Sequence, residues 1–188
     1  NRYKNIHRVF KKIKGKNKMN IYNKFRPKSF KSFVGNSTVV SSFRKTFSRK
    51  NPPNSAIISG PFGVGKTTLA RIIKRKLETH DNDYFEMNIP SVTGIDNVRE
   101  IEQETKNPPL FSRYKIFVLD ECQKLSKSAQ DAILKVLEDC PDYCIFFLCT
   151  TEIYKIPKGN DIFRPVDYAN QLLSRMYNYA DEKRIWIA

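Results

Sequence analysis

The stretch from Gly60 to Thr67 reads Gly-Pro-Phe-Gly-Val-Gly-Lys-Thr and decides the fold of this chain. It has the spacing G-x-x-x-x-G-K-[ST] of a phosphate-binding loop, in which backbone N–H groups curl around a polyphosphate. An apolar run at 56–58 precedes the loop and predicts a buried strand, and an amphipathic run at 68–77 follows it and predicts a helix. A glycine-rich turn that matches by chance is the alternative, and the order of strand, loop and helix argues against it.

The loop predicts a role for each of its polar groups. Lys66 can reach the β- and γ-phosphates, the Thr67 hydroxyl can ligate Mg²⁺, and the helix N-terminus adds partial positive charge at the same place. The residues expected to surround the nucleotide phosphates are Gly60, Pro61, Phe62, Gly63, Val64, Gly65, Lys66, Thr67 and Thr68.

A second motif, residues 115–121, consists of an apolar run that ends in two carboxylates, Asp120 and Glu121. The run predicts a strand buried on both faces, and the carboxylates then lie at the sheet edge. In P-loop ATPases the first carboxylate holds Mg²⁺ and the second polarises the attacking water. Asp-Glu after a strand can also be an ordinary helix cap, but its pairing with a phosphate loop favours the catalytic interpretation.

Strands and helices are predicted to alternate along the core of the chain. Apolar patterns predict an initial helix that carries Val39, Val40, Phe43 and Phe47, strands at about 55–59, 84–88, 115–119 and 144–149, and further helices at about 95–106 and 127–139. Such alternation is typical of an α/β fold with a parallel sheet covered by helices on both faces.

The charge of the chain is strongly uneven. Net charge is +15, and no acidic residue precedes Glu78, so residues 1–77 carry about +21 and the remainder about −6. A one-sided positive field favours a polyanionic partner such as a nucleic acid. The alternative is an AT-rich genome that enriches Lys and Asn without any selection for binding.

The remaining composition excludes a membrane span and gives no metal motif. No apolar run approaches the 18 residues of a spanning helix. The four cysteines lack the close C-x-x-C spacing of a zinc site, and Cys144 and Cys149 bracket an apolar strand, so we interpret them as core thiols in a reducing compartment. Residues 1–20 are basic without a helical stripe and are predicted to form an N-terminal arm before a core domain at 21–188.

A series of motifs, in order, resembles those of the AAA+ clamp-loader ATPases, most closely the bacterial DNA polymerase III gamma/tau subunits. They are K-F-R-P at 24–27, F-V-G-N at 33–36, the phosphate loop at 60–67, G-I-D-N-V-R-E-I at 94–101, D-E-C-Q-K-L-S at 120–126, A-I-L-K-V-L-E at 132–138, C-I-F-F-L-C-T-T-E at 144–152 and L-L-S-R at 172–175. The resemblance covers about residues 21–185.

This resemblance implies a fold and an activity. The fold is the P-loop NTPase (AAA+) type, a three-layer αβα sandwich with a parallel five-stranded sheet, whose fifth strand falls at about 177–185. The cofactors are ATP and Mg²⁺. The implied partners are other subunits in an oligomeric ring, a sliding clamp and primer-template DNA, in a bacterial or phage-infected cytoplasm and without a membrane.

The resemblance also implies further site residues. Thr151 is the expected sensor of the γ-phosphate, Arg175 is the expected arginine finger toward a neighbouring subunit, and Arg26 and Val34 are expected to flank the adenine. A strand-end cap is the alternative for Thr151, and a surface salt bridge is the alternative for Arg175. Arg164 is a second candidate for the finger.

The chain departs from the family in three places. A cysteine-rich zinc module usually follows the first helix of the gamma/tau core, but residues 78–90 contain no cysteine. The segment between Pro157 and Leu172 is longer than the family's link, and the resemblance places the helical lid and collar after the last residue given, so neither is expected within residues 1–188. Two other functions therefore stay open: a stator that hydrolyses ATP poorly, and another AAA+ nucleic-acid motor such as a branch-migration motor or helicase loader.

Overall fold

Strands and helices alternate along the residues that the computed structural model describes, which are 25–35, 37–89 and 95–151. The strands are β1 (Ser55–Ser59), β2 (Tyr84–Asn88), β3 (Lys115–Asp120) and β4 (Cys144–Thr150). The helices are α1 (Ser37–Thr46), α2 (Lys66–Lys76), α3 (Ile95–Thr105) and α4 (Lys127–Asp139). Each agrees with its predicted element to within about two residues, because buried strands and amphipathic helices have distinct apolar periods.

Local chemistry explains where two of the helices begin. The Ser126 hydroxyl accepts a hydrogen bond from the Ala129 N–H at 3.3 Å and caps α4. Helix α2 begins after Gly65, which lies in the left-handed region with φ of 97° and supplies no side-chain cap. The first N–H groups of α2, next to the phosphate loop, therefore have no capping side chain at Gly65.

All four described strands are parallel and lie in the order β1-β4-β3-β2. The sheet has four strands among the described residues, not the five expected of the whole domain. The fifth was expected at 177–185, outside the described part of the chain. Because parallel strands share a direction, the carboxyl ends of β1, β3 and β4 meet at one edge.

Helices cover both faces of the sheet, which confirms the three-layer sandwich. On one face Phe43, Phe47 and Ile73 of the α1–α2 layer pack against Val118 and Phe147. The opposite face packs against α3 and α4, where Phe117 lies between the rings of Phe85 and Phe146, with centroids 5.1 and 4.7 Å away.

Alternate residues of β3 and β4 thus belong to opposite cores, as expected of strands buried on both sides.

Cys144 and Cys149 are buried free thiols, and burial raises the pKa of Cys144 to about 12. The described residues contain no helix that is both long and apolar enough to span a membrane.

Candidate active site

The phosphate loop joins β1 to α2 and is held closed around a lysine. Lys66 is 7% exposed, and its Nζ donates hydrogen bonds to the carbonyl oxygens of Gly60 at 2.8 Å and Pro61 at 3.0 Å. The cation therefore lies inside the loop, beside the N-terminus of α2. An anion placed there would meet a side-chain cation and the positive end of a helix together.

A glycine is required at position 65 for two reasons. Its φ of 97° is rarely adopted by other residues, and a Cβ atom there would lie 2.7 Å from Cζ of Phe33. The Phe33 ring thus packs against the phosphate loop and links the segment before α1 to the loop. This contact was not predicted from the sequence. Its only signal was the motif that contains Phe33.

Asp120 and Glu121 lie at the end of β3, at the same sheet edge as the loop. Burial, and then the neighbouring charge of Glu121, raise the pKa of the Asp120 carboxyl, while the Lys66 charge opposes this shift. Two adjacent carboxylates in a partly buried place suit a divalent cation, which would relieve their repulsion. The Thr67 hydroxyl and the Asp120 carboxylate are hard oxygen ligands of the kind that Mg²⁺ prefers, so the residues present fit Mg²⁺.

Glu121 has a strained backbone. It is one of two non-glycine residues with positive φ among the described residues, at 59°, and it is 8% exposed. Such conformations are costly and persist where the surrounding structure holds them, often at functional sites. The Glu121 carboxylate accepts a hydrogen bond from Gln123 Nε2 at 2.7 Å.

Thr151 lies directly after β4 and faces Glu121. Its Oγ1 is 3.5 Å from Glu121 Oε2 and accepts a hydrogen bond from Gln123 Nε2 at 2.7 Å. The structure therefore brings the predicted sensor and the predicted water-polarising carboxylate together at one sheet edge. No role for Gln123 was predicted from the sequence. Its position two residues after Glu121 was the available signal.

Arg26 and Val34 have different surroundings. Arg26 is half-buried, and burial, followed by the charge of Arg71, lowers its pKa, whereas the charges of Glu86 and Asp120 act in the opposite direction. Its buried Nη1 has no hydrogen-bond partner among the described residues. An unpaired buried donor near Asp120 fits a site for an anionic ligand. Val34 is 93% exposed, and contact of either residue with adenine stays a prediction.

A polar network next to the site ties α2 to β2. Arg71 makes a two-pronged ion pair with the Glu86 carboxylate, which also accepts a hydrogen bond from the Tyr84 hydroxyl at 2.7 Å. Burial alone would raise the pKa of Glu86, but the hydrogen bonds and charge of Arg71 outweigh it and lower that pKa. This network, which sequence analysis missed, fixes the helix that begins at the phosphate loop.

Some predicted site residues lie outside the described part of the chain. Arg164 and Arg175, the two candidates for the arginine finger, follow residue 151, and the N-terminal arm at 1–20 precedes residue 25. Their roles stay predictions.

The chain is similar to bacterial replication proteins. A family profile described as "DNA polymerase III, delta subunit" matches residues 80–158. The tau subunit of DNA polymerase III from Bacillus subtilis is 31% identical over 158 residues, which are 73% of this chain and 28% of that protein. The gamma subunit of DNA polymerase III from Buchnera aphidicola subsp. Schizaphis graminum is 33% identical over 156 residues, which are 72% of this chain and 43% of that protein. The chain thus spans less than half the length of these relatives.

Solved structures share the fold. The RuvB Holliday junction branch migration motor of Thermotoga maritima matches 68% of this chain and 41% of its own, with a TM-score of 0.53 and 24% identity. A DNA polymerase III gamma subunit-related protein from the same organism matches 79% of this chain and 45% of its own, with a TM-score of 0.53 and 14% identity. The sequence relatives make the chain gamma/tau-like, and the parallel sheet, the phosphate loop and the solved structures identify its fold as the AAA+ P-loop type.

Proposed function

We propose that this chain is an ATP-hydrolysing subunit of a sliding-clamp loader that acts in DNA replication. The observation that carries the proposal is the meeting of Lys66, Asp120, Glu121 and Thr151 at one edge of the sheet, in a chain that is gamma/tau-like. The proposed ligands are ATP and Mg²⁺. The proposed partners are other loader subunits in a ring, the clamp, and primer-template DNA in the cytoplasm.

Each residue has one task in this proposal. Lys66 and the N-terminus of α2 bind the phosphates, while Thr67 and Asp120 hold Mg²⁺, which neutralises phosphate charge when bound. The Glu121 carboxylate accepts a hydrogen bond from a water molecule and orients it toward the terminal phosphate. Thr151 donates its hydroxyl proton to an oxygen of that phosphate.

Charge supports an anionic partner for the assembly. Residues 1–77 carry about +21, and the structure leaves a group of their basic side chains exposed around the ends of α1 and α2, namely Arg44, Lys45, Arg49, Lys50, Arg75 and Lys76. Such side chains can contact a phosphate backbone.

A branch-migration motor is the second candidate, and the structural likeness to RuvB favours it. Both functions need the same nucleotide site, and they differ in the partners that would stimulate turnover. A stator is disfavoured because it needs neither Glu121 nor its strained, buried position.

The test compares ATP turnover by the full chain under four conditions: alone, with primed DNA, with a ring clamp, and with both. We expect joint stimulation that exceeds the sum of the two separate effects, because a loader completes its cycle only when both partners are present. Unprimed single strands with the clamp serve as the control. Stimulation by a four-way junction without the clamp would instead support the motor, and turnover absent in every condition would support the stator.

Lys66→Ala is expected to weaken binding of a fluorescent ATP analogue by about 10- to 100-fold, because hydrogen bonds to charged groups contribute about 1.5–3 kcal/mol each. Equilibrium titration measures this. Lys76→Ala is the matched control, since Lys76 is an exposed lysine in the last turn of the same helix and should leave the affinity unchanged. Equal affinities for the two variants would mean that the loop is not a nucleotide site.

A further inference from the structure

The side chain of Gln123 lies between Glu121 and the end of β4. Its Nε2 donates hydrogen bonds to Glu121 Oε2 at 2.7 Å and to Thr151 Oγ1 at 2.7 Å. Its Oε1 accepts a hydrogen bond from the Thr150 hydroxyl at 2.9 Å. One carboxamide therefore contacts the water-polarising carboxylate and the sensor hydroxyl at the same time, although Thr151 is 28 positions further along the chain.

The orientation of this amide follows from its partners. A side-chain amide has two N–H donors and one carbonyl acceptor, and a carboxylate can only accept. The nitrogen must therefore face Glu121, which leaves the oxygen to face Thr150. Both donors and the acceptor are then used, and a flipped amide would place oxygen against oxygen at Glu121.

The backbone holds Gln123 at a fixed position relative to Glu121. Residues Cys122–Lys124 form a short 3-10 turn, and the Lys124 N–H donates to the Glu121 carbonyl at 3.0 Å. This turn follows the strained φ of Glu121. The strain thus places a carboxamide within reach of a carboxylate only two residues earlier.

The bond to Thr151 also directs its hydroxyl. Because Gln123 donates to the Thr151 oxygen, the Thr151 proton must point to another acceptor. Glu121 Oε2, at 3.5 Å, is at the limit of a hydrogen bond and is a weak acceptor for it. The Thr151 hydroxyl donates this long, weak bond in the structure, and a ligand oxygen closer to Thr151 at the sheet edge would replace Glu121 as the acceptor.

We propose that Gln123 is a positioning residue that holds the Glu121 carboxylate and the Thr151 hydroxyl as one unit, facing the terminal phosphate of a bound nucleoside triphosphate. The inference rests on the proposed function and adds to it. Thr151, which senses that phosphate, is coupled to Glu121, which orients water, through a single amide. Gln123 itself touches neither nucleotide nor water.

The test uses Gln123→Met, which keeps the length of the side chain and removes all three hydrogen bonds. Gln103→Met is the matched control, because Gln103 is exposed on α3. In the assembled full chain we expect kcat for ATP to fall about 10- to 100-fold, since small misplacements of catalytic groups have effects of this size. The preference for a fluorescent ATP analogue over its ADP counterpart should fall about two- to tenfold, the size of one hydrogen bond. The control should change neither value.

A double variant separates positioning from a structural role. Groups that act as one unit have non-additive effects, so Gln123→Met should lower kcat by a smaller factor in the Glu121→Gln background than in the wild type. A further fall as large as in the wild type would give Gln123 a role independent of Glu121 and overturn the inference. Gln123→Asn keeps the amide but has a shorter side chain, and it is also expected to lower kcat. This variant replaces Gln123→Met in the test if the methionine variant does not fold.

Failure of the inference can be distinguished from failure of the proposed function. If the wild type binds nucleotide and Gln123→Met changes neither kcat nor the ATP preference, the inference alone is wrong. If the wild type binds nucleotide without hydrolysing it, the preference for ATP over ADP decides. A preference that is lower in Gln123→Met than in the wild type supports the inference, and an equal preference in the two proteins overturns it. If the wild type binds no nucleotide, the proposed function fails and the inference fails with it.

Discussion

Glu121→Gln is expected to slow ATP hydrolysis by about 10²-fold or more while nucleotide affinity stays unchanged, because only the carboxylate that polarises water is lost. The substituted amide has nearly the same shape, and its oxygen can still accept the hydrogen bond from Gln123. Lys66 and Asp120, which we propose to hold phosphate and Mg²⁺, are untouched. Single-turnover hydrolysis and equilibrium binding of a fluorescent analogue measure the two quantities separately.

The matched control is Glu78→Gln, which makes the same substitution at the other positive-φ glutamate of the described residues, at 54°. Glu78 is exposed and lies after α2, away from the sheet edge that carries Glu121. The Glu78→Gln variant should hydrolyse ATP at the wild-type rate. If Glu121→Gln also hydrolyses ATP at the wild-type rate, Glu121 takes no part in the mechanism, and its strained backbone has another cause.

Arg175→Ala is expected to reduce turnover in the assembled protein by about 10³-fold, the lower end of the range for arginine fingers in other nucleotide hydrolases. By resemblance, the Ser-Arg box lies at the subunit edge and faces the γ-phosphate of the next subunit. Turnover per subunit of the wild type should therefore rise with protein concentration as assemblies form. Turnover that is independent of concentration would contradict an arginine supplied by a neighbour.

A mixing experiment tests the same arginine directly. Subunits with Arg175→Ala and subunits with Glu121→Gln should regain activity together, because one type of interface then pairs an intact Glu121 with an intact Arg175. Arg164→Ala is measured in parallel as the alternative finger. If the mixture stays inactive while Arg164→Ala alone abolishes turnover, Arg164 is the finger in place of Arg175.

Much of the fold could be predicted from sequence because its determinants are local. Strand β3 reads as a continuous apolar run since both of its faces are buried, and α4 shows a helical stripe since only one of its faces is buried. The phosphate loop is recognisable because its conformation needs glycines at a fixed spacing, as the φ of Gly65 shows. The fifth strand, in contrast, was predicted from the resemblance alone.

The partners of the site residues could not be predicted in this way. Gln123 meets Thr151 only because β3 and β4 are neighbours in the sheet, an order that apolar patterns do not contain. The same holds for Arg71 and Glu86, which belong to a helix and a strand that each look ordinary in the sequence. Lys115 reads as the polar start of a strand, yet it is 2% exposed and pairs with Glu104 of α3.

The sequence by itself determined the α/β class, the phosphate loop and the carboxylate pair, because each depends on the spacing of residues that are close along the chain. Tertiary structure alone decided which side chains meet at the carboxyl edge of the sheet. Strand order brought Glu121, Gln123 and Thr151 into hydrogen-bond distance. The segment before α1 places Phe33 against Gly65 and leaves Val34 exposed. Contacts between residues distant in the chain depend on how the layers pack, and packing is a property of the whole fold.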